Sequence, residues 1–492
     1  MTGRQGAEMD ETQIRGIVEQ VLKKMMQGEM TLAPGDAQSV APPAPKTAAA
    51  VTRGRGIFET VDQAVKASEE AFRVLNSSTL EQRAAIIAAI RKWGKENARE
   101  IAERTIKETG MGRIQDKLNK MFSSSERTPG IEDLGIRAWS GDYGLTTEEM
   151  APYGVIAAVT PSTHPVPTLI NNSISMIAAG NAVVFAPHPA AKNVFLYALD
   201  LLNDAIMKAG GPENLIATVA EPGIEATQAL FHHPGTRLLV VTGGPGLVKA
   251  AMQVPKKVIA AGPGNPPVVV DETADIKQAV ADIIEGGGFD NNILCIGEKE
   301  VFVVGSVFDL FMREMSLAGM ALLDPRQIDA LTKEAFLPGR GGEPLLNREL
   351  VGRHASVLAE RIGLKISDDV RLLFGETVPD HPFVMEEQMM PFIPIVRAPD
   401  AKRAIDLALA AEGQRYHTAL IHSRNIANMH EMARRANTTI FIKNGSCLAG
   451  LGIGGEGTLS FTIATPTGEG VTTARTFTRR RRCTLKRYFH IV

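Results

Sequence analysis

From residue 151 onward the chain alternates short apolar runs with longer segments of helical period, and this alternation restricts the fold more than any other feature. The runs YGVIAAVT, NAVVFAP, NLIATVAE, TRLLVVTGG and KKVIAAG read as strands. Between them, TLINNSISMIAAG and KNVFLYALDLLNDAIMKAG read as helices, the second ending at a glycine suited to a C-cap. Strands that are apolar along their whole length and flanked by helices imply a parallel sheet covered on both faces. Such a doubly wound sheet binds nucleotides beyond the carboxyl ends of its strands. The run LLVV leads into Thr242, Gly243, Gly244, Pro245 and Gly246 and then a helix, so small residues stand where a dinucleotide approaches the backbone. Lys249 occupies the place of the last glycine of GxGxxG, so this turn alone is a weak signal.

A second alternating region follows. TADIKQAVADIIEGGG is helical and stops at glycines, KEVFVV reads as a strand, DLFMREMSLAG and AKRAIDLALAAEG as helices, and HTALIHS and TTIFIKNG as strands. A second α/β domain is therefore expected from about residue 263. The tail TARTFTRRRRCTLKRYFHIV alternates as a strand does, and its run Arg479 to Arg482 is a solvated face, a subunit contact or an anion site.

The 492 residues suffice for two to three domains with large cores, at about 100–200 residues each. A formal net charge of −2 gives no reason to expect nucleic acid as a partner. No apolar run is long enough for a membrane span, and the first residues lack a secretory pattern, so a cytosolic, soluble protein is expected. Cys295, Cys447 and Cys483 form neither a disulfide framework nor a CxxC pair, and no metal site is expected. In the segment DETQIRGIVEQVLKKMM, Ile14, Ile17, Val18, Val21, Leu22 and Met25 form a helical stripe, with Asp10 or Thr12 as cap. The Pro- and Ala-rich stretch after it reads as a flexible linker. Such a helix either packs back on its own subunit or docks on a partner surface.

Cys295 sits in GGGFDNNILCIGEKE. A free cysteine is often an inert core residue. Here Gly286 to Gly288 permit a close backbone path, and the amides of Asn291 to Cys295 are candidates to face a substrate oxygen. A site of this kind is expected to lower the thiol pKa below its ordinary value of about 8.5. Cys447 in NGSCLAG and Cys483 in the arginine tail show no comparable arrangement.

Seven ordered blocks, PYGVIAAVTPSTHP, AAGNAVVFAPHPAAK, LLVVTGGPGLV, AAGPGNPPVVVD, FDNNILCIGEKE, EEQMMPFIPIV and PTGEGVTTARTFTRRRRC, resemble the aldehyde dehydrogenase superfamily. Within it the chain is most similar to the CoA-acylating branch of bacterial microcompartments that process propionaldehyde or acetaldehyde, over roughly residues 55–492. The resemblance implies an α/β fold with a Rossmann-like cofactor domain, an α/β catalytic domain and an oligomerisation arm. The boundaries expected are a targeting helix at 1–27, a linker at 28–50, an NAD-binding domain at 51–262 with the arm at 137–150, a catalytic domain at 263–449, and a return segment with a C-terminal oligomerisation strand at 450–492.

The family's nucleophile falls on Cys295, and its glutamate for the nicotinamide ribose falls on Glu387 of EEQMMP, which alone reads as a solvated pair with Glu386. Its nucleotide turn falls on Thr242, Gly243 and Gly244, and the stretch near the adenosine ribose on Pro187 and His188. Hydrolytic members place a water-activating glutamate where this chain has AAGPGN, with Ala261 at or beside that place. They also use an asparagine between two prolines as oxyanion donor, where PSTHP offers Thr163 and His164. Thr163, with the Cys295 amide, is expected to hold the oxyanion, and His164, Ile293 and Leu294 to line the substrate pocket.

NAD and coenzyme A are the implied cofactor and cosubstrate. The expected reaction oxidises a short aliphatic aldehyde, propionaldehyde before acetaldehyde, to acyl-CoA through a Cys295 thioester. In this light residues 10–26 read as a peptide that docks on microcompartment shell proteins, placing the enzyme in the lumen, and a homodimer or dimer of dimers is expected. A hydrolytic dehydrogenase making the free acid and a non-catalytic shell adaptor with the same fold are the alternatives.

Overall fold

The computed structural model describes residues 54–339 and 344–489. The expected docking helix and linker lie outside the described residues. After the short strand Ile57–Phe58 come four helices, Val61–Asn76, Leu80–Glu96, Ala98–Thr109 and Ile114–Arg127. The first two open on capping boxes. The Thr60 and Thr79 hydroxyls accept the amides of Gln63 and Gln82, whose side chains accept the amides of the capping threonines in return. The fourth helix carries Asp116, Lys117 and Lys120 along a buried face, where charged residues are rare unless paired.

Among the described residues the first sheet has six parallel strands, in the order Ile57–Phe58, Ile216–Val219, Ala182–Pro187, Val155–Thr160, Thr236–Thr242, Lys257–Ala261. The chain enters this sheet's interior at Val155–Thr160, steps outward through Ala182–Pro187 and Ile216–Val219, then crosses back to lay Thr236–Thr242 on the other side. The strand order thus reverses between Val155–Thr160 and Thr236–Thr242, and a crevice opens beyond their carboxyl ends. All strand residues of Val155–Thr160 and Ala182–Pro187 are buried, as a doubly covered sheet requires. The covering helix Lys192–Lys208 ends as the sequence suggests: Gly210, at φ 82°, donates to the Met207 carbonyl and Gly211 to that of Ile206, both at 2.9 Å, in a Schellman motif.

The second sheet has seven parallel strands, ordered Ala321–Leu322, Leu373–Thr377, Phe392–Ala398, Glu300–Val304, Pro267–Val270, Thr418–His422, Ile440–Lys443. The core of the first sheet also takes in Ala464, Ala474 and Phe477, so the segment after the second sheet returns to the first. Strands Arg137–Gly141, Gly144–Pro152 and Thr478–Lys486 form a separate antiparallel sheet. The run Arg479 to Arg482 is exposed on it, with Arg482 3.4 Å from Glu148. Trp139, Tyr143, Leu485, Tyr488 and Phe489 are also exposed. Among the described residues no helix is long and apolar enough to cross a membrane, and no cluster of metal-ligating side chains occurs.

Candidate active site

Cys295 lies at the amino-terminal edge of the second sheet. Gly264, Cys295, Glu387 and His417 each precede a different strand there, those beginning at Pro267, Glu300, Phe392 and Thr418. A Cβ added to Gly264 would stand 2.4 Å from the Cys295 carbonyl oxygen and 2.9 Å from the His417 ring, so only glycine lets these loops close together. Cys295 stays partly exposed, whereas Cys447 is buried and Cys483 lies exposed in strand Thr478–Lys486.

The loop before Cys295 has an unusual path. Asp290, Asn291 and Asn292 all adopt left-handed backbone angles, at φ 51°, 57° and 64°. Asp and Asn tolerate that region better than other L-residues, and side-chain bonds hold them in it. The Asp290 carboxylate accepts from Lys117 Nζ at 2.7 Å, Lys120 Nζ at 2.5 Å and the Arg113 amide at 2.9 Å. Its own amide donates to Asp116, which also receives Arg371 at 2.7 Å. Asn291 receives Arg113 Nε and donates to the Gly352 carbonyl, both at 2.8 Å. Lys117 further reaches the Thr163 carbonyl at 3.0 Å. One helix therefore ties the Cys295 loop to the loop that follows strand Val155–Thr160.

All three charges are buried. Burial lowers the Lys117 amine to about 8, with Asp290 opposing the shift and Lys120 adding to it. Burial also works against the Asp290 charge, but Lys117 and Lys120 more than offset it and hold the carboxyl at about 2.

Cys295 departs from the sequence expectation. Burial pushes its thiol up to about 12, and the Glu387 carboxylate adds to the rise. Lys299, the Cys295 amide and Lys120 work in the other direction without overcoming it. The expected lowering assumed a solvated turn; Cys295 instead packs against a hydrophobic core with the Glu387 carboxylate acting on it, and the cations around the loop do not overcome that. Glu387 is half-buried, its own pKa raised by burial and drawn back by Lys299, the Gly264 amide and Arg415.

Thr163 Oγ1 and His164 Nδ1 are 3.0 Å apart, and the His164 ring packs on Phe461 with centroids 5.0 Å apart. Burial, with Lys120 and Lys117 nearby, holds His164 well below the usual histidine pKa, so its ring is neutral. A neutral ring bearing its proton on Nδ1 donates to Thr163 and leaves the hydroxyl proton free for a substrate oxygen; the other tautomer consumes it. Ile293 and Leu294, expected to line the substrate pocket, are both buried, each within a hydrophobic core cluster.

Of the residues expected to bind the dinucleotide, Thr242, Gly243, Gly244, Pro187 and His188 lie at the carboxyl ends of the first sheet's strands, while Glu387 lies at the edge of the second. Thr242 ends its strand with Oγ1 3.2 Å from Thr462 Oγ1, and the Gly243 amide donates to the Ala261 carbonyl at 3.3 Å. A Cβ added at Gly244 or Gly246 would meet no atom within 4 Å, so the turn before helix Pro245–Met252 borders open space. Pro187 ends strand Ala182–Pro187, which lies on the other side of Val155–Thr160 from Thr236–Thr242, and the exposed His188 accepts the Ala190 amide at 3.1 Å. Open space at a glycine turn before a helix, at the reversal of strand order, fits a dinucleotide. Ala261, at the end of its strand, is buried and offers no base.

Residues 34–323 match the model of the aldehyde dehydrogenase family. The chain belongs to that family. Acetylating acetaldehyde dehydrogenase EutE of Escherichia coli strain K12 is 49% identical over 489 residues, 98% of this chain and all of that protein. A Rhodopseudomonas palustris propionaldehyde dehydrogenase, solved with bound CoA and an acylated cysteine, superposes with a TM-score of 0.85 at 43% identity, covering 88% of this chain and 98% of that one. A propionaldehyde dehydrogenase from the fucose utilisation microcompartment of Clostridium phytofermentans superposes at 0.87 with 42% identity, over 89% and 100% of the two chains. The α/β architecture and the acylating aldehyde dehydrogenase likeness read from the sequence are both found.

Within this aldehyde dehydrogenase fold, Lys117, Lys120, Lys299 and His417 escaped the sequence reading. Lys117 and Lys120 are three apart in a helix and look like a solvated face; only the buried Asp290 gives them a role. His417 is buried, with Nδ1 2.9 Å from Thr418 Oγ1 and Nε2 without a partner among the described residues. Burial lowers it to about 4, with the Lys299 charge adding to the shift.

Proposed function

We propose that this chain catalyses the NAD-dependent, CoA-acylating oxidation of a short aliphatic aldehyde, propionaldehyde before acetaldehyde, through a thioester on Cys295. The observation that carries this reading is a partly exposed thiol in a braced loop, within a site where Ala261 offers no carboxylate to activate water. The family likeness to enzymes named for CoA acylation supports it.

Cys295 Sγ attacks the aldehyde carbon, and the resulting thiohemiacetal oxyanion is held by the Cys295 amide and the Thr163 hydroxyl. Bound NAD would supply the hydride acceptor for the thiohemiacetal carbon, and the positive charge of its nicotinamide would favour the thiolate. Thr242, Gly243, Gly244, Pro187 and His188 would hold its adenosine and phosphates, and Glu387 its nicotinamide ribose. Cys295 then carries an acyl thioester. With no base at Ala261, that ester waits for the CoA thiol, and exchange of one thioester for another conserves the energy of oxidation.

The functional division we infer assigns 51–262 to cofactor binding, 263–449 to catalysis, and 137–150 with 450–492 to the arm and return segment. The exposed Trp139, Tyr143 and Leu485 on the antiparallel sheet suit an apolar subunit contact, in a homodimer or dimer of dimers. Residues 10–26 are assigned to docking on microcompartment shell proteins, which places the enzyme in the lumen and contains a reactive aldehyde. Deleting residues 1–45 should leave turnover intact and abolish co-purification with shells; retained packaging would refute the docking role.

NADH release from propionaldehyde and from acetaldehyde, each with and without CoA, tests the reaction. Sustained release only with CoA is expected. Full-rate release without CoA would establish the hydrolytic reaction instead, and unchanged turnover in Cys295→Ala would remove the nucleophile.

A further inference from the structure

Lys299 is fully buried, and among the described residues its ammonium group forms no ion pair. Its Nζ donates instead to the Asn292 carbonyl at 2.8 Å, the Leu294 carbonyl at 3.0 Å and the Asn292 side-chain oxygen. Three protons thus meet three oxygens, all from the loop that ends in Cys295. Its own backbone is pinned as well: the Lys299 amide donates to Pro266 at 3.1 Å and its carbonyl accepts from Gln388 at 3.2 Å. A buried lysine without a carboxylate costs several kcal/mol in desolvation, about as much as a whole domain can spare. Packing alone does not explain it.

We propose that Lys299 is the positioning residue of the nucleophile, drawing the Asn292 and Leu294 carbonyls inward so that the Cys295 amide faces the reacting oxygen, while its charge favours the thiolate. The geometry of the peptide group enforces the first half. In a trans peptide the C=O and N–H point in opposite directions, so anchoring the Leu294 oxygen on Nζ aims the Cys295 N–H away from the buried amine. That N–H also favours the charged form of its own sulfur.

The second half follows from the surrounding charges. Cys295 is faced by Glu387, Lys120 and Lys299, and Lys299 by Glu387, Cys295, Cys447 and Glu300. Lys299 also acts on Glu298 and His417. Lys120 is matched by the Asp290 carboxylate at 2.5 Å. Burial lowers the Lys299 pKa, and Glu387, Cys295, Cys447 and Glu300 draw it back up; while protonated, Lys299 is the cation left to balance a thiolate, and Glu387 is the anion opposing it.

The proposal rests on Cys295 being the nucleophile, but its test needs neither aldehyde nor CoA. The alkylation rate of Cys295 by iodoacetamide is followed against pH in the full chain, with and without NAD, by mass spectrometry of the Cys295 peptide so that exposed Cys483 does not contribute. In Lys299→Met alkylation should be roughly tenfold slower at every pH from about 7 to 10, the displacement of about one unit to higher pH that loss of the charge implies. Lys299→Gln keeps donors for the carbonyls without the charge, so it should show the same displacement and lose less turnover than the Met variant. An undisplaced profile across that range, or a slowing in the Met variant that the Gln variant does not share, would overturn the charge role. Variants that cannot be isolated folded would assign Lys299 to folding and overturn it too. Cys295→Ala with full turnover would remove the nucleophile reading, whereas an undisplaced profile removes only the role of Lys299.

Discussion

Asp290→Asn isolates the electrostatic clamp on the nucleophile loop. Asparagine tolerates the left-handed backbone at φ 51°, so the change removes charge without straining the turn. It leaves Lys117 and Lys120 buried without their carboxylate, and breaking a buried pair from one side costs about 3–5 kcal/mol. The two lysines do not share that cost equally. Lys117 already titrates at about 8 and can shed its proton near neutral pH for roughly 1.4 kcal/mol per unit, which caps its share at about 1–2 kcal/mol. The remainder falls on Lys120.

The sign of the pH dependence follows. The folded pKa of Lys117 lies below its ordinary 10.5, so the unfolded chain binds the extra proton between about 8 and 10.5, and stability rises with pH across that window. Above about 9 Lys117 is neutral in the parent as well, and the deficit should shrink by about 1 kcal/mol. Urea unfolding followed by the fluorescence of buried Trp93, on either side of that window, measures both quantities. A loss under about 1 kcal/mol at neutral pH, or a deficit that grows as pH rises, would refute the clamp.

Thr163→Val should lower kcat about 100- to 1,000-fold with little change in aldehyde KM, if the hydroxyl acts on the oxyanion; a kcat within a few-fold of the parent would return that role to the backbone alone. Buried Glu298 accepts the Cys447 amide at 2.8 Å, and burial raises its pKa from 4.5 to about 7. The folded chain therefore keeps a proton that the unfolded chain releases, and stability falls as pH climbs from about 4.5 to 7. Glu298→Gln keeps the acceptor and should erase a fall of about 3 kcal/mol; a stability curve parallel to the parent's would contradict the assignment.

The alternation of strands and helices after residue 151 was legible because each strand is buried on both faces and each helix carries an apolar stripe. The four helices over residues 61–127 have equally readable caps at Thr60 and Thr79, yet nothing in their periodicity says that Lys117 and Lys120 reach a loop some 170 residues away. Such pairings are non-local and carry no pattern. The Cys295 neighbourhood was recognisable as a turn of small and amide residues, but its thiol pKa was misjudged, since desolvation and Glu387 become visible only when four strand ends converge.

The central claim is that Cys295 holds an acyl group until a thiol collects it. Intact mass measurement of the enzyme after mixing with propionaldehyde and NAD, without CoA, tests this most directly. The account predicts a single propionyl adduct on the Cys295 peptide, one equivalent of NADH, and loss of the adduct as propionyl-CoA once CoA is added. An unmodified Cys295 with NADH continuing to accumulate as free propionate forms would contradict it.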